Sequence, residues 1–276
     1  MKRLGLLVAL LAFQPAPPSA QQNPSSPRET PPIAPSEGST ASPQTARQKA
    51  ELRAQILMAR KDFAEAVKAY AELLADDPKN AQWLNSTGIA YQQLGDGQRA
   101  EHFYKKAVQA NKNYASAINN LGSLEYGRKR YGKAIKYYKK ALAAGGSDQA
   151  VIYSNLGFAY FANQENAAAM EAFSKALAID PEIFARKGGA GAIVQQRSAP
   201  DPGALFFLVA KSYAKTGDAE HAAHYLKMAR DDGYKDFISA KKDPDFAKVI
   251  KDPRVQEVFQ IQPAYADEDK KKSSPN

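Results

Sequence analysis

Cysteine is absent from this 276-residue chain. Disulfides, thiolate metal sites, cysteine nucleophiles and an N-terminal lipid carried on cysteine are therefore excluded. Histidine is nearly as scarce, with three copies. His221 and His224 share one face of a helix, but no carboxylate or further ligand completes a metal pattern, so they read as a metal-free surface pair. No phosphate-loop motif occurs, and the fragment GGAGA at 188–192 has no strand before it, so nucleotide binding is not expected. Nothing marks a serine as partner to a histidine and a carboxylate. The chain thus carries no positive sign of catalysis, of a cofactor or of a small-molecule substrate. Long apolar runs are missing too: the longest, Leu4–Phe13, spans ten residues, well short of the roughly 18 or more of a membrane-crossing helix.

That short run has another meaning. Lys2 and Arg3 precede it and the small pair Ser19-Ala20 follows, the layout of a secretory signal over residues 1–20. The expected compartment is the periplasm or the extracellular space. Residues 21–46 are rich in Pro, Ser, Thr and Gln, with Ile33 as the one large apolar residue. Such a stretch buries too little surface to offset its ordering entropy and reads as a disordered tether. The tail at 263–276 reads the same way.

Between these ends the chain repeats itself. Segments beginning at Trp83, Ala117 and Ile152 align, with Gly88, Gly122 and Gly157 at spacings of 34 and 35 residues. Ala100, Ala134 and Ala169 keep the same phase, as do Ala107, Ala141 and Ala176. A mid-helix glycine costs about 1 kcal/mol relative to alanine. Its return at one phase implies helices crossing too closely for a side chain. Tyr104, Tyr138 and Phe173, four residues after the first alanine of each set, are expected to fill the space between consecutive hairpins. Asp77-Pro78 and Asp180-Pro181 stop second helices, because proline cannot continue one, and Gly145-Gly146 does so after the third hairpin. Gly95-Asp96, Lys129-Arg130 and Gly217-Asp218 occupy turns within hairpins.

This pattern resembles the tetratricopeptide-repeat (TPR) family, whose unit is a helix-turn-helix of about 34 residues. The likeness is specific over 81–181. Residues 47–80 form a degenerate first repeat, with Ala54 and Leu57 in place of the usual glycine and tyrosine. After an insertion at 182–202, a fifth hairpin at 203–234 keeps Tyr213, Ala222 and Ala229 in phase. A helical cap at 235–262 follows, where Pro244 and Pro253 each open a short helix. Phe237, Ile238, Phe246, Val249, Ile250, Val255 and Phe259 are expected to cover the end of the last repeat. The fold class so implied is all-α: a right-handed α-solenoid of about five TPR-like hairpins with a C-terminal helical cap.

The resemblance also implies a function, protein binding in a concave groove lined by the first helices. In the family, the second, fifth, sixth, ninth, twelfth and thirteenth places of each repeat face that groove. Here they include Gln82, Asn85, Ile89 and Gln92, then Asn119, Asn120, Ser123 and Tyr126, then Asn155, Phe158 and Phe161. Asn120 and Asn155 recur at a place that often bonds a bound peptide's backbone, a task an amide suits because it donates and accepts. The alternative is that they bond only a neighbouring helix. Basic residues that clamp a terminal carboxylate in other family members are missing at these places in repeats two to four. Eleven basic residues, from Arg99 through Lys105, Lys106 and Arg128 to Lys139 and Lys140, are opposed only by Glu101 and Glu125. They read first as the solvated face of second helices, and secondly as a contact for anionic lipid or polysaccharide, with nucleic acid disfavoured in an exported chain.

Overall fold

The computed structural model describes residues 43–146, 148–184, 201–237 and 239–260, all within one compact unit that starts at Ser42. The signal, most of the tether, most of the insertion (Ile193 and Val194 with it), Ile238 and the tail lie outside the described residues. Eleven α-helices run in order: α1 Pro43–Ala59, α2 Phe63–Asp76, α3 Ala81–Gln93, α4 Gly97–Ala110, α5 Ala115–Gly127, α6 Tyr131–Ala144, α7 Gln149–Ala162, α8 Asn166–Ile179, α9 Pro202–Thr216, α10 Ala219–Asp231 and α11 Pro253–Gln260. Single 3-10 turns at Ser239–Lys242 and Pro244–Phe246 join α10 to α11. No strand occurs among the described residues. The helices pair into five hairpins that stack in chain order as a helical solenoid.

Each hairpin turns in the same way. One or two residues past the first helix the chain takes a left-handed conformation: Lys61, Gly95, Lys129, Gln164 and Gly217 have φ of 64, 81, 59, 65 and 92°. The next amide then reaches back five residues, as Asp96 N–H does to the Tyr91 carbonyl at 2.9 Å and Arg130 N–H to the Glu125 carbonyl at 2.9 Å. This closes otherwise orphaned carbonyls in a Schellman turn. Asp96 and Asp218 then cap the second helix, their carboxylates accepting from the backbone amides of Arg99 at 2.8 Å and His221 at 3.1 Å.

The mid-helix glycines answer to aromatic rings. A Cβ on Gly88 would lie 2.6 Å from the Tyr104 ring, one on Gly122 2.7 Å from Tyr138, and one on Gly157 2.4 Å from Phe173. The aromatics were expected between consecutive hairpins, but each ring seats first on the glycine of its own hairpin. Close packing of the two helices forces this arrangement. In the fifth hairpin the equivalent positions are Ala210 and Leu226, both fully buried, so a smaller partner accompanies the added methyl.

Two boundaries differ from the sequence reading. The first helix begins at Pro43, inside the stretch assigned to the tether. Proline suits a first helical turn, and Arg47 anchors that turn by stacking 4.6 Å above the Trp83 ring and pairing with Asp77 at 3.4 Å. Composition does not reveal such a distant partner. The second difference concerns the insertion. Hairpin five packs directly against α8, as earlier hairpins pack on their predecessors, and residues 181–184 form part of the join. Phe184 is buried with its ring 5.4 Å from Phe173 and 6.2 Å from Tyr213. The Tyr225 hydroxyl donates to the Phe184 carbonyl at 2.8 Å, and that of Tyr213 to the Pro181 carbonyl at 3.1 Å.

The cap follows expectation. Pro244 and Pro253 open the second 3-10 turn and α11. Phe237, Phe246, Val249, Val255 and Phe259 are buried, while Ile250 is only partly covered.

Candidate functional site

First helices of successive hairpins meet through their asparagines. The Asn120 amide donates to the Asn85 Oδ1 at 3.0 Å, and the Asn155 amide to the Asn119 Oδ1 at 3.0 Å. Asn119 approaches the Asn120 Oδ1 at 3.5 Å. A ladder of four amides therefore crosses α3, α5 and α7. Asn85, Asn119 and Asn155 are buried, with relative exposures of 6, 9 and 3%, whereas Asn120 is partly open. The bond to a neighbouring helix, left open by the sequence, is what these side chains make.

The remaining expected groove residues divide by exposure. Gln82 is exposed, and Ile89 is half-buried. Gln92 accepts the Tyr104 hydroxyl at 2.7 Å; burial raises that hydroxyl's pKa well above the ordinary tyrosine value. Ser123 accepts from the Tyr138 hydroxyl at 3.3 Å and donates to the Asn119 carbonyl at 3.3 Å. Tyr126 is buried against Tyr131, with centroids 5.3 Å apart, and burial pushes its pKa up to about 12. Phe158 was expected to face the groove. It is instead a core residue, 1% exposed, with Phe173 and Phe184 at 5.2 and 6.1 Å. Phe161 is also buried. Among first-helix residues, Asn120 is partly open and Gln82, Gln93 and Val151 are exposed.

The basic stretch is only partly neutralised. Glu101 binds Lys105 at 2.6 Å and Arg128 at 2.7 Å, and these bonds, Lys105 first, hold its carboxyl below the usual range. Arg128 continues to the buried Glu125 at 2.9 Å, with Arg130 at 3.6 Å, so one network joins hairpins two and three. Lys133, Lys136 and Lys140 on α6 are exposed and have no acidic partner among the described residues.

Two features escaped the sequence reading. Phe184 lay in a stretch without repeat phase. The other is a pair of lysines on α9, at the ninth and thirteenth places of repeat five, beyond the repeats searched for cationic clamps. Lys211 lies 2.8 Å from Asp243 and 2.9 Å from Asp245, and Lys215 lies 3.4 Å from Asp245. Burial opposes the charge on Asp245, but bonds from Lys211 and Lys215 outweigh it and lower the pKa. Burial also opposes the charge on Lys211, and the two aspartates outweigh it and raise the pKa. The sign of each shift follows from linkage. Asp245 adds stability above the ordinary aspartate pKa of about 3.9, lost as pH falls through its lower folded value. Lys211 adds stability below about 10.4, lost as pH rises through its higher folded value.

His221 is held by Asp218 at 2.7 Å and stacks on Tyr213 at 4.8 Å, with Glu182 at 3.7 Å. Among the described residues no cluster of three potential ligands could hold a metal, and no helix is long and apolar enough to cross a membrane.

With five helical hairpins stacked as a solenoid, the molecule is of the helical-repeat class, and its residues 52–182 are similar to tetratricopeptide repeats. Two tetratricopeptide-repeat profiles match residues 52–116 and 113–182. BBSome complex member BBS4 of Bos taurus is 24% identical over 208 residues, covering 63% of this chain and 36% of that protein. The heat-shock protein cognate co-chaperone sgt12 of Aspergillus fumigatus is 30% identical over 94 residues, covering 33% of this chain and 28% of its own length. The chain spans only about a third of each of these curated relatives. Among solved structures, PilF of Pseudomonas aeruginosa superposes with a TM-score of 0.51 at 18% identity, covering 79% of this chain and 97% of that one. That likeness concerns the fold.

Proposed function

We propose that this chain is a non-enzymatic scaffold of the cell envelope that holds a segment of a partner protein along the inner surface of α3, α5 and α7. The observation that carries this reading is the asparagine ladder, open to solvent at Asn120. Asn85, Asn119 and Asn155 act as a rigid polar floor, so little order is lost on the protein's side when a segment binds. Asn120, Gln82 and Gln93 offer amides to the segment's backbone, and Val151 offers a small apolar contact. The relatives named as a complex member and a co-chaperone support a protein partner. The envelope placement rests on the signal-like residues 1–20.

Capture from a detergent-solubilised envelope extract by the wild-type chain and by Asn120→Ala tests the proposal. One neutral hydrogen bond contributes about 0.5–1.5 kcal/mol, so the variant should bind its partner roughly two- to tenfold more weakly while its helical circular dichroism is unchanged. Equal recovery by both proteins would sink the groove reading.

A second reading is favoured by Lys133, Lys136 and Lys140, which have no acidic partner among the described residues. Through these the outer face would bind anionic lipid or polysaccharide. Binding to anionic vesicles should then fade steeply between 50 and 200 mM salt, roughly as counterion release requires. Salt-independent binding would exclude this contact.

A further inference from the structure

The inner surface does not end at α7. In the fifth hairpin its ninth and thirteenth places are Lys211 and Lys215, and this face is covered by the chain's own residues 243–246. Asp243 and Asp245 project onto Lys211 at 2.8 and 2.9 Å, and Asp245 also faces Lys215 at 3.4 Å. Between the two ends of the turn, Lys211 lies 5.8 Å over the Phe207 ring, which stacks 4.3 Å from Tyr234. Phe246 is fully buried beside Phe207, with centroids 5.7 Å apart, and the Phe259 ring lies 6.4 Å away. Lys248 closes the far side by donating to the Lys215 carbonyl at 2.7 Å.

We propose that the inner face of α9 is a binding site for an acidic–aromatic turn, of the form Asp-x-Asp-Phe. In this state the chain's own Asp243–Phe246 fills it, and a partner segment with the same chemistry exchanges with that turn. This site is separate from the asparagine ladder and stands whether or not the ladder receives a segment.

Three observations separate an exchangeable occupant from a plain end cap. First, covering the end of the last hairpin needs apolar area, which Phe246, Val249, Val255 and Phe259 supply, and needs no carboxylates. Two carboxylates gathered on one part-buried lysine add a desolvation cost and, with it, selectivity for what can replace them. Second, the turn's own backbone bonds are local, Phe246 N–H to the Asp243 carbonyl and Ala247 N–H to the Pro244 carbonyl. Its grip on α9 is made by side chains, which another chain can reproduce. Third, α11 is moored independently on α10: Arg230 donates to the Val258 carbonyl at 3.4 Å, and Arg254 pairs with Glu220 at 3.1 Å. The turn can therefore leave while α11 stays.

The probe is a fluorescent peptide of residues 241–250, KKDPDFAKVI, added to the full chain. Asp243→Asn with Asp245→Asn weakens the internal occupant. That variant should bind the peptide at least tenfold more tightly than wild type, whose site is filled. Adding Lys211→Glu should abolish the gain, and a peptide with both aspartates replaced by asparagine should not bind. In the wild-type chain, saturating peptide should speed hydrogen exchange at Ala247, Val249 and Ile250 while α10 stays protected. Equal binding with and without Lys211→Glu, or equal binding of the asparagine peptide, would overturn the assignment. So would a natively helical Asp243→Asn/Asp245→Asn variant that binds nothing, together with unchanged exchange in wild type; residues 243–246 would then be part of the fold only.

Discussion

Gly157→Ala is expected to destabilise the protein by about 2–3 kcal/mol, the upper part of the range for overpacking a close-packed core. A Cβ there would lie 2.4 Å from the Phe173 ring. That ring cannot simply yield, because Phe158 and Phe184 press on it edge-on at 5.2 and 5.4 Å. The fifth hairpin, with Ala210 opposite the Leu226 position, suggests the remedy. Phe173→Leu removes the ring that collides, at the expense of its edge contacts. The double variant Gly157→Ala/Phe173→Leu should therefore lose less than the sum of the two single changes, with a coupling of roughly 1 kcal/mol or more. Urea midpoints of the four proteins measure this. Strict additivity would mean that the ring does not impose the glycine.

Phe184→Ala should have a larger and more local effect. Removing a buried phenylalanine costs about 3–5 kcal/mol, and Phe184 sits among Phe158, Phe173 and Tyr213 where hairpins four and five meet. In a repeat array, neighbouring interfaces contribute separately to stability. Hydrogen exchange should then accelerate throughout α9 and α10 while α3 to α6 keep their protection. Uniform acceleration along the chain, or none, would show that Phe184 does not join the two hairpins.

Much of the fold was legible because each repeat must solve one packing problem within itself. Gly122 has to admit Tyr138, and Ala134 and Ala141 have to let the helices close, so the same pattern returns in repeats two to four. The inner surface was legible only in part. Asn120 and Asn155 were read as groove residues, but a polar residue on a first helix serves a neighbour or a ligand equally well on paper, and here both bond a neighbouring helix. Phe158 shows the same ambiguity for an apolar side chain: its place in the repeat faces inward, yet the irregular Phe184 covers it. Phe184, Arg47 and the pair formed by Lys211 with Asp243 all depend on partners far away in sequence. No periodicity announces such contacts. Lys211 and Lys215 themselves, one turn apart on α9, do stand in repeat phase, at the ninth and thirteenth places of the fifth repeat.

The join between hairpins four and five has a consequence for how this chain tolerates change. The solenoid is sealed on one side by Phe184 and restarted on the other by Asp201, whose carboxylate caps α9 through the Ala204 amide at 2.9 Å. Among the described residues, the seat of α9 and α10 on α8 is carried by Phe184 with Tyr213 and Tyr225. Three aromatic side chains thus set how far this junction tolerates substitution: a smaller residue at any one of them opens a gap shared by two repeats, whereas the exposed positions of the same helices can change without disturbing the stack.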